Sequence, residues 1–128
     1  MNYVIREYRD DDAPALADLT LAAIKTIGAK RYSDKQVKAW AWRHPGADRF
    51  RDRTAEGHWI CVAADKVDTA VAYALMEPGG HLDMLYCHPQ HTRKGLAQAL
   101  LESCEEHARQ AGLKRLYTEA SELARTAF

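Results

Sequence analysis

The sequence predicts an α/β (α+β) domain in which a mostly antiparallel sheet is flanked by helices. Three observations carry that prediction. Residues 58–64 and 67–76 are apolar runs joined by a tight Asp65-Lys66 turn, the pattern of an antiparallel hairpin. Residues 80–87 follow a Pro-Gly-Gly turn signal, are dominated by Leu, Met, Tyr and Cys, and end at Pro89, which suits a short, mostly buried strand. Beyond a short loop, residues 93–111 carry Leu96, Ala97, Leu100, Leu101, Cys104, Ala108 and Ala111 at helical spacing, and Gly112 supplies the stop.

In chain order, residues 3–8 alternate enough for an edge-type first strand. Asp11 or Asp12 can cap the helix that follows, Pro14 fits its first turn, and Leu16, Leu19, Ala23, Ile24 and Ile27 form its apolar stripe before Gly28 ends it. Ser33-Asp34-Lys35-Gln36 is a capping-box pattern that opens a second helix, with Val37, Trp40 and Ala41 on one side and a stop near His44, before Pro45. Residues 44–57 are polar and rich in charge, and are expected to form the longest loop. After Gly112, residues 114–120 read as a further strand, and Ser121 is placed to cap a final helix.

Composition narrows the function. A chain of 128 residues, 47% hydrophobic and 28% charged, makes one domain with a real core. Its 18 Lys and Arg balance 18 Asp and Glu, so no bulk field draws it to nucleic acid or to an anionic membrane. No stretch has the length of a transmembrane helix, and Met1 leads into a charged, strand-like segment, so a cytoplasmic protein is expected. Cys61, Cys87 and Cys104, odd in number and in apolar surroundings, read as reduced thiols.

The join of strand and helix is where chemistry concentrates. Gly95 and Ala97 carry little side chain, so an anion can approach the first-turn amides of the helix, which lack intrahelical partners and sit at the positive end of its dipole. Arg93 and Lys94 add positive charge there; the bland alternative is a plain helix packed close to a strand. Alternation along the strand places His81, Asp83, Leu85 and Cys87 on one face and Leu82, Met84, Tyr86 and His88 on the other. His81, Asp83, Cys87, His88 and His91 fall within 11 residues, but their spacing fits no zinc-site pattern and alternation spreads them over two faces, so no metal is expected. Imidazole is a common general base near neutral pH, which makes His81 a candidate.

The segment Leu82 to Pro89, then Lys94-Gly95-Leu96-Ala97-Gln98-Ala99-Leu100-Leu101, then Ala120-Ser121 and Ala124, resembles the GCN5-related N-acetyltransferase (GNAT) superfamily. Tyr32-Ser33 and Trp40 are similar to a segment of its small bacterial branch. The resemblance implies a mixed, mostly antiparallel sheet and transfer of an acetyl group from acetyl-CoA to a primary amine of a small molecule or peptide. It implies that Leu85, Tyr86 and Cys87 hold the pantetheine and thioester by their backbone, that Thr92, Arg93, Lys94, Gly95, Leu96 and Ala97 hold the pyrophosphate, and that Ser121 and Ala124 complete the cosubstrate site. Asp83 stands where the family often has a base, with His81 second, and Tyr32 and Trp40 would line the acceptor side.

Departures accompany the match. Thr92 takes the place of the family's usual Gln or Arg, Arg93 stands where glycine is common, and Phe128 stands where a tyrosine usually protonates the departing thiolate. The family's last strands are lacking, so the chain is either a fragment or naturally short, and a homodimer would cover the open sheet edge. These departures also fit a second function: a catalytically weak or inactive CoA-binding or protein-interaction module.

Overall fold

The computed structural model describes residues 2–28, 46–113 and 116. The expected helix from Ser33, the strand at 114–120, and Tyr32, Trp40, Ser121, Ala124 and Phe128 lie outside the described residues.

Among the described residues, four strands, β1 (Val4–Glu7), β2 (Trp59–Ala64), β3 (Ala70–Met76) and β4 (Leu82–Cys87), form a sheet in that order. Every described pairing is antiparallel, and β1 lies at an edge as its sequence suggests. Helix α1 (Ala13–Gly28) packs on one face, and α3 (Leu96–Gln110) on the other.

Strand alternation sorts the core into two layers. Ile60, Val62, Tyr73, Leu75 and Met84 meet Leu16 and Leu19 of α1, while Cys61, Ala63, Ala72, Ala74 and Leu85 meet Leu96, Leu100, Cys104 and Ala108 of α3. The α3-facing side is built of small residues. A helix can therefore settle close, and the Cys61 thiol lies 3.8 Å from the Leu100 carbonyl oxygen. All three cysteines are free, with the Cys61 and Cys104 sulfurs 3.9 Å apart.

Four expectations are corrected. Residues 44–57 are not all loop: Asp48–Ala55 forms helix α2, with Asp48 in its first turn, Arg53 in its last and an Arg51–Asp48 ion pair along it. Its single large apolar residue, Phe50, is 2% exposed and meets Tyr73 edge to face at 5.3 Å; this tertiary contact supplies what a polar sequence could not signal. The hairpin connection is longer than Asp65-Lys66. β3 starts at Ala70 because Asp65 accepts the Val67 and Thr69 amides and Asp68 takes a left-handed φ of 64°. Asp12 does not cap α1. It turns back to accept the Arg9 amide and both terminal nitrogens of Arg6. Finally, strict alternation fails at the start of β4, where a register shift opposite Leu75 and Met76 puts Leu82 in the α3-side layer with Leu85.

Candidate active site

Two features flank β4: an exposed loop at its C-terminal end and a polar cluster at its N-terminal end. After Cys87, residues Pro89–His91 make one 3-10 turn, in which the His88 ring accepts the Gln90 amide at 3.1 Å. The Thr92 hydroxyl donates to the Pro89 carbonyl at 3.2 Å. Arg93 and Gly95 both have left-handed backbone, with φ of 61° and 78°. Gly95 is the N-cap of α3, and no side chain caps the helix. The Ala99 amide bonds back to the Gly95 carbonyl at 3.1 Å; the amides before it belong to the first turn, which has no helical acceptors to offer. Residues Thr92 to Gly95 are exposed, and a Cβ built on Gly95 would meet no atom within 4 Å. The loop therefore combines exposed first-turn amides at the positive end of a helix with two cationic residues, Arg93 and Lys94.

Leu85, Tyr86 and Cys87 lie on β4 just before this loop. Burial pushes the Cys87 thiol up to about 11, so at neutral pH it is a thiol and a poor nucleophile. Burial likewise raises the Tyr86 hydroxyl.

The polar cluster was only half visible in the sequence. Glu77 Oε1 and His81 Nδ1 are 2.9 Å apart, and ligand atoms of Glu77, His81 and Asp83 all lie within 4.8 Å of one another. The Arg53 guanidinium, from α2, donates to Asp83 at 2.9 Å and to the His58 Nδ1 at 2.9 Å. Arg53 already supplies positive charge to Asp83, so a metal ion among these three would compete with it. His88 and His91 meet edge to face at 6.0 Å at the other end of the strand, where the Tyr3 hydroxyl lies 2.9 Å from His91 Nδ1.

The structure places His81 and Asp83, the two base candidates read from the sequence, in one cluster and adds Glu77 and Arg53, which the sequence reading did not single out. Glu77 had a signal: the Glu-Pro-Gly-Gly-His run places a carboxylate and an imidazole across one tight turn. Arg53 had none, because α2 itself was read as loop.

Comparison with known proteins decides the family. The sequence model described as "Acetyltransferase (GNAT) family" matches residues 21–128. The chain belongs to the GNAT acetyltransferase family. It is similar to the uncharacterized N-acetyltransferase YafP of Escherichia coli, 26% identical over 102 residues, and spans 79% of this chain and 64% of that relative. Among solved GNAT structures, a GCN5-related N-acetyltransferase from Rhodopseudomonas palustris superposes with a TM-score of 0.84 at 28% identity, over 98% of this chain and 78% of that one. The PaiA N-acetyltransferase of Thermoplasma acidophilum, in complex with coenzyme A, gives 0.85 at 18% identity, over 100% of this chain and 85% of that one, a likeness of fold. No described helix of this GNAT domain is long and apolar enough to cross a membrane.

Proposed function

We propose that this domain is an N-acetyltransferase that moves the acetyl group of acetyl-CoA directly onto a primary amine of a small molecule or peptide. The observation that carries the proposal is the uncapped start of α3 behind the exposed loop Thr92 to Gly95. A pyrophosphate needs several convergent N–H donors and positive charge, and this is where the chain offers both. The coenzyme A complex of the PaiA relative, which shares the fold, supports the same reading. Leu96 and Ala97 would contribute first-turn amides, and Leu85 to Cys87 would contribute strand backbone to the pantetheine.

Attack requires a neutral amine. A base removes a proton from the ammonium, the nitrogen lone pair forms the N–C bond, and the C–S bond breaks with its electrons leaving on sulfur as thiolate. We assign the base to His81, with Asp83 beside it. Asp83 is held by Arg53 in an ion pair at 2.9 Å, which fixes its carboxylate beside the ring and leaves the proton transfer to His81. Three free thiols fit a reducing compartment, and we place the protein in the cytoplasm.

Calorimetric titration with acetyl-CoA is expected to saturate near one per chain. Thiol release should then appear on adding an amine from a panel of spermidine, 2-phenylethylamine and an alanine-initiated tripeptide. His81→Gln should lower turnover about 100-fold or more, and Asp83→Asn by less. Binding without release for every amine would favour the inactive CoA-binding module, and no binding by the folded chain would overturn the proposal.

A further inference from the structure

We infer that Glu77 is a positioning residue for the transfer, its carboxylate holding the His81 imidazole in the tautomer whose Nε2 accepts the amine's proton. This rests on the reading of His81 as the base. The hairpin builds the pair: the Glu77 amide donates to the His81 carbonyl at 2.8 Å and the Gly80 amide to the Glu77 carbonyl at 2.9 Å. Residues 77 and 81 thus stand opposite each other across Pro78-Gly79-Gly80, and opposite residues of a hairpin present their side chains on one face. Gly80 has a φ of 97°, a conformation that glycine adopts at no steric cost.

On that face His81 Nδ1 lies 2.9 Å from Glu77 Oε1. An ionised carboxylate can only accept, so Nδ1 carries the hydrogen and the lone pair of the neutral ring is on Nε2. The charged groups about the ring include Glu77, Asp83 and, through Asp83, Arg53 of α2. Neither partner is sealed in the core: the side chains of His81 and Glu77 are 22% and 39% exposed, held yet within reach of a substrate.

During transfer the proton passes from the acceptor's ammonium nitrogen to Nε2. The freed lone pair then forms the N–C bond as the C–S bond breaks, and the sulfur takes a proton from solvent. The ring is then an imidazolium with N–H on both nitrogens, and its bond to Glu77 becomes charge-assisted at the moment charge develops. Glu77 thus favours the state after proton removal as well as the tautomer before it.

The test compares the full chain with Glu77→Ala, Glu77→Gln and His81→Gln. Long-range 1H–15N spectra of the neutral imidazoles, with the His81 signals identified by their loss in His81→Gln, should show Nδ1 protonated in the parent. In Glu77→Ala they should show a shift toward the Nε2-protonated form. With the panel amine that turns over fastest, Glu77→Ala should lower kcat about 10- to 100-fold, a fraction of a general base's worth. The KM for acetyl-CoA should hold, and Glu77→Gln should recover part of the loss because its amide oxygen still accepts from Nδ1. An unchanged tautomer in Glu77→Ala overturns the inference. So does loss of thermal stability and acetyl-CoA binding in step with kcat, which marks a structural role. Parent-like turnover in His81→Gln sinks the base itself, whereas an inactive His81→Gln beside a parent-like Glu77→Ala sinks only Glu77's part. If no amine turns over, the transferase reading fails and the spectra alone decide the tautomer.

Discussion

Arg93 holds a left-handed backbone that costs a non-glycine residue about 1–2 kcal/mol. Its φ of 61° lies in the region that glycine adopts at no steric cost. The side chain's charge is what glycine would lack. Arg93→Gly should therefore leave the fold as stable or raise it by up to about 1 kcal/mol, since relief of strain is partly offset by glycine's greater chain entropy. It should also weaken acetyl-CoA binding a few-fold. Thermal unfolding and calorimetry on the same sample check the two signs, and tighter binding in Arg93→Gly would mean that the guanidinium does not face the cosubstrate. At the other end of β4, the near-neighbours His81 and Asp83 differ in partner. Asp83 has a permanent cation from Arg53, while His81 has a carboxylate. The proposed mechanism uses that contrast to give the two residues separate tasks.

Helix α2 joins the cluster to the core. Phe50 anchors it beneath the sheet, and Arg53, three residues on, reaches Asp83. Phe50→Ala should cost about 3–5 kcal/mol, because it removes a fully packed ring and its contact with Tyr73. If α2 is what carries Arg53 to Asp83, turnover under native conditions should fall as well. A denaturant midpoint shifted by less than about 1 kcal/mol would mean that α2 is only loosely seated. The same helix shows the reach of the sequence. β1, α1 and α3 were legible because their apolar residues repeat at 2 or 3.6 residues, and the hairpin and β4 because they are apolar runs bounded by turn signals. α2 carries one large apolar residue and takes its stability from a distant tyrosine, which no local period can announce. The bulge at Leu82 was equally silent, since it arises from pairing with Leu75 and Met76. The loop from Thr92 to Ala97 could be read from Gly95 and Ala97 alone, whereas Glu77 required the turn geometry that sets it opposite His81.

At the scale of the whole molecule, an ion cluster ties the edge strand to the central hairpin. Arg6 of β1 clamps Asp12 with both terminal nitrogens at 2.8 Å and reaches Asp68, in the β2–β3 connection, with Nε at 3.0 Å. Arg9 also holds Asp68, at 2.8 Å. Burial alone would raise the Asp12 carboxyl, but the Arg6 guanidinium and the Arg9 amide outweigh it and hold the group below its usual value. Arg6 and then Arg9 lower Asp68 as well. Both carboxyls are thus more acidic folded than unfolded. The stability they contribute is fully present well above pH 4 and is lost as pH falls through the folded values, where the native state must take up protons it resists. The fold should therefore weaken steeply below about pH 4, with the edge strand released as the clamp protonates. Asp12→Asn should cost about 2 kcal/mol at pH 7, the scale of a charged hydrogen-bonded partner. It should also flatten the acid limb, so that the gap between parent and variant narrows as pH falls toward the folded value. Denaturant unfolding at pH 7, 5 and 3 measures that narrowing. Parallel curves, separated by the same amount at every pH, would show that the acid sensitivity comes from elsewhere and that Asp12 acts through shape alone.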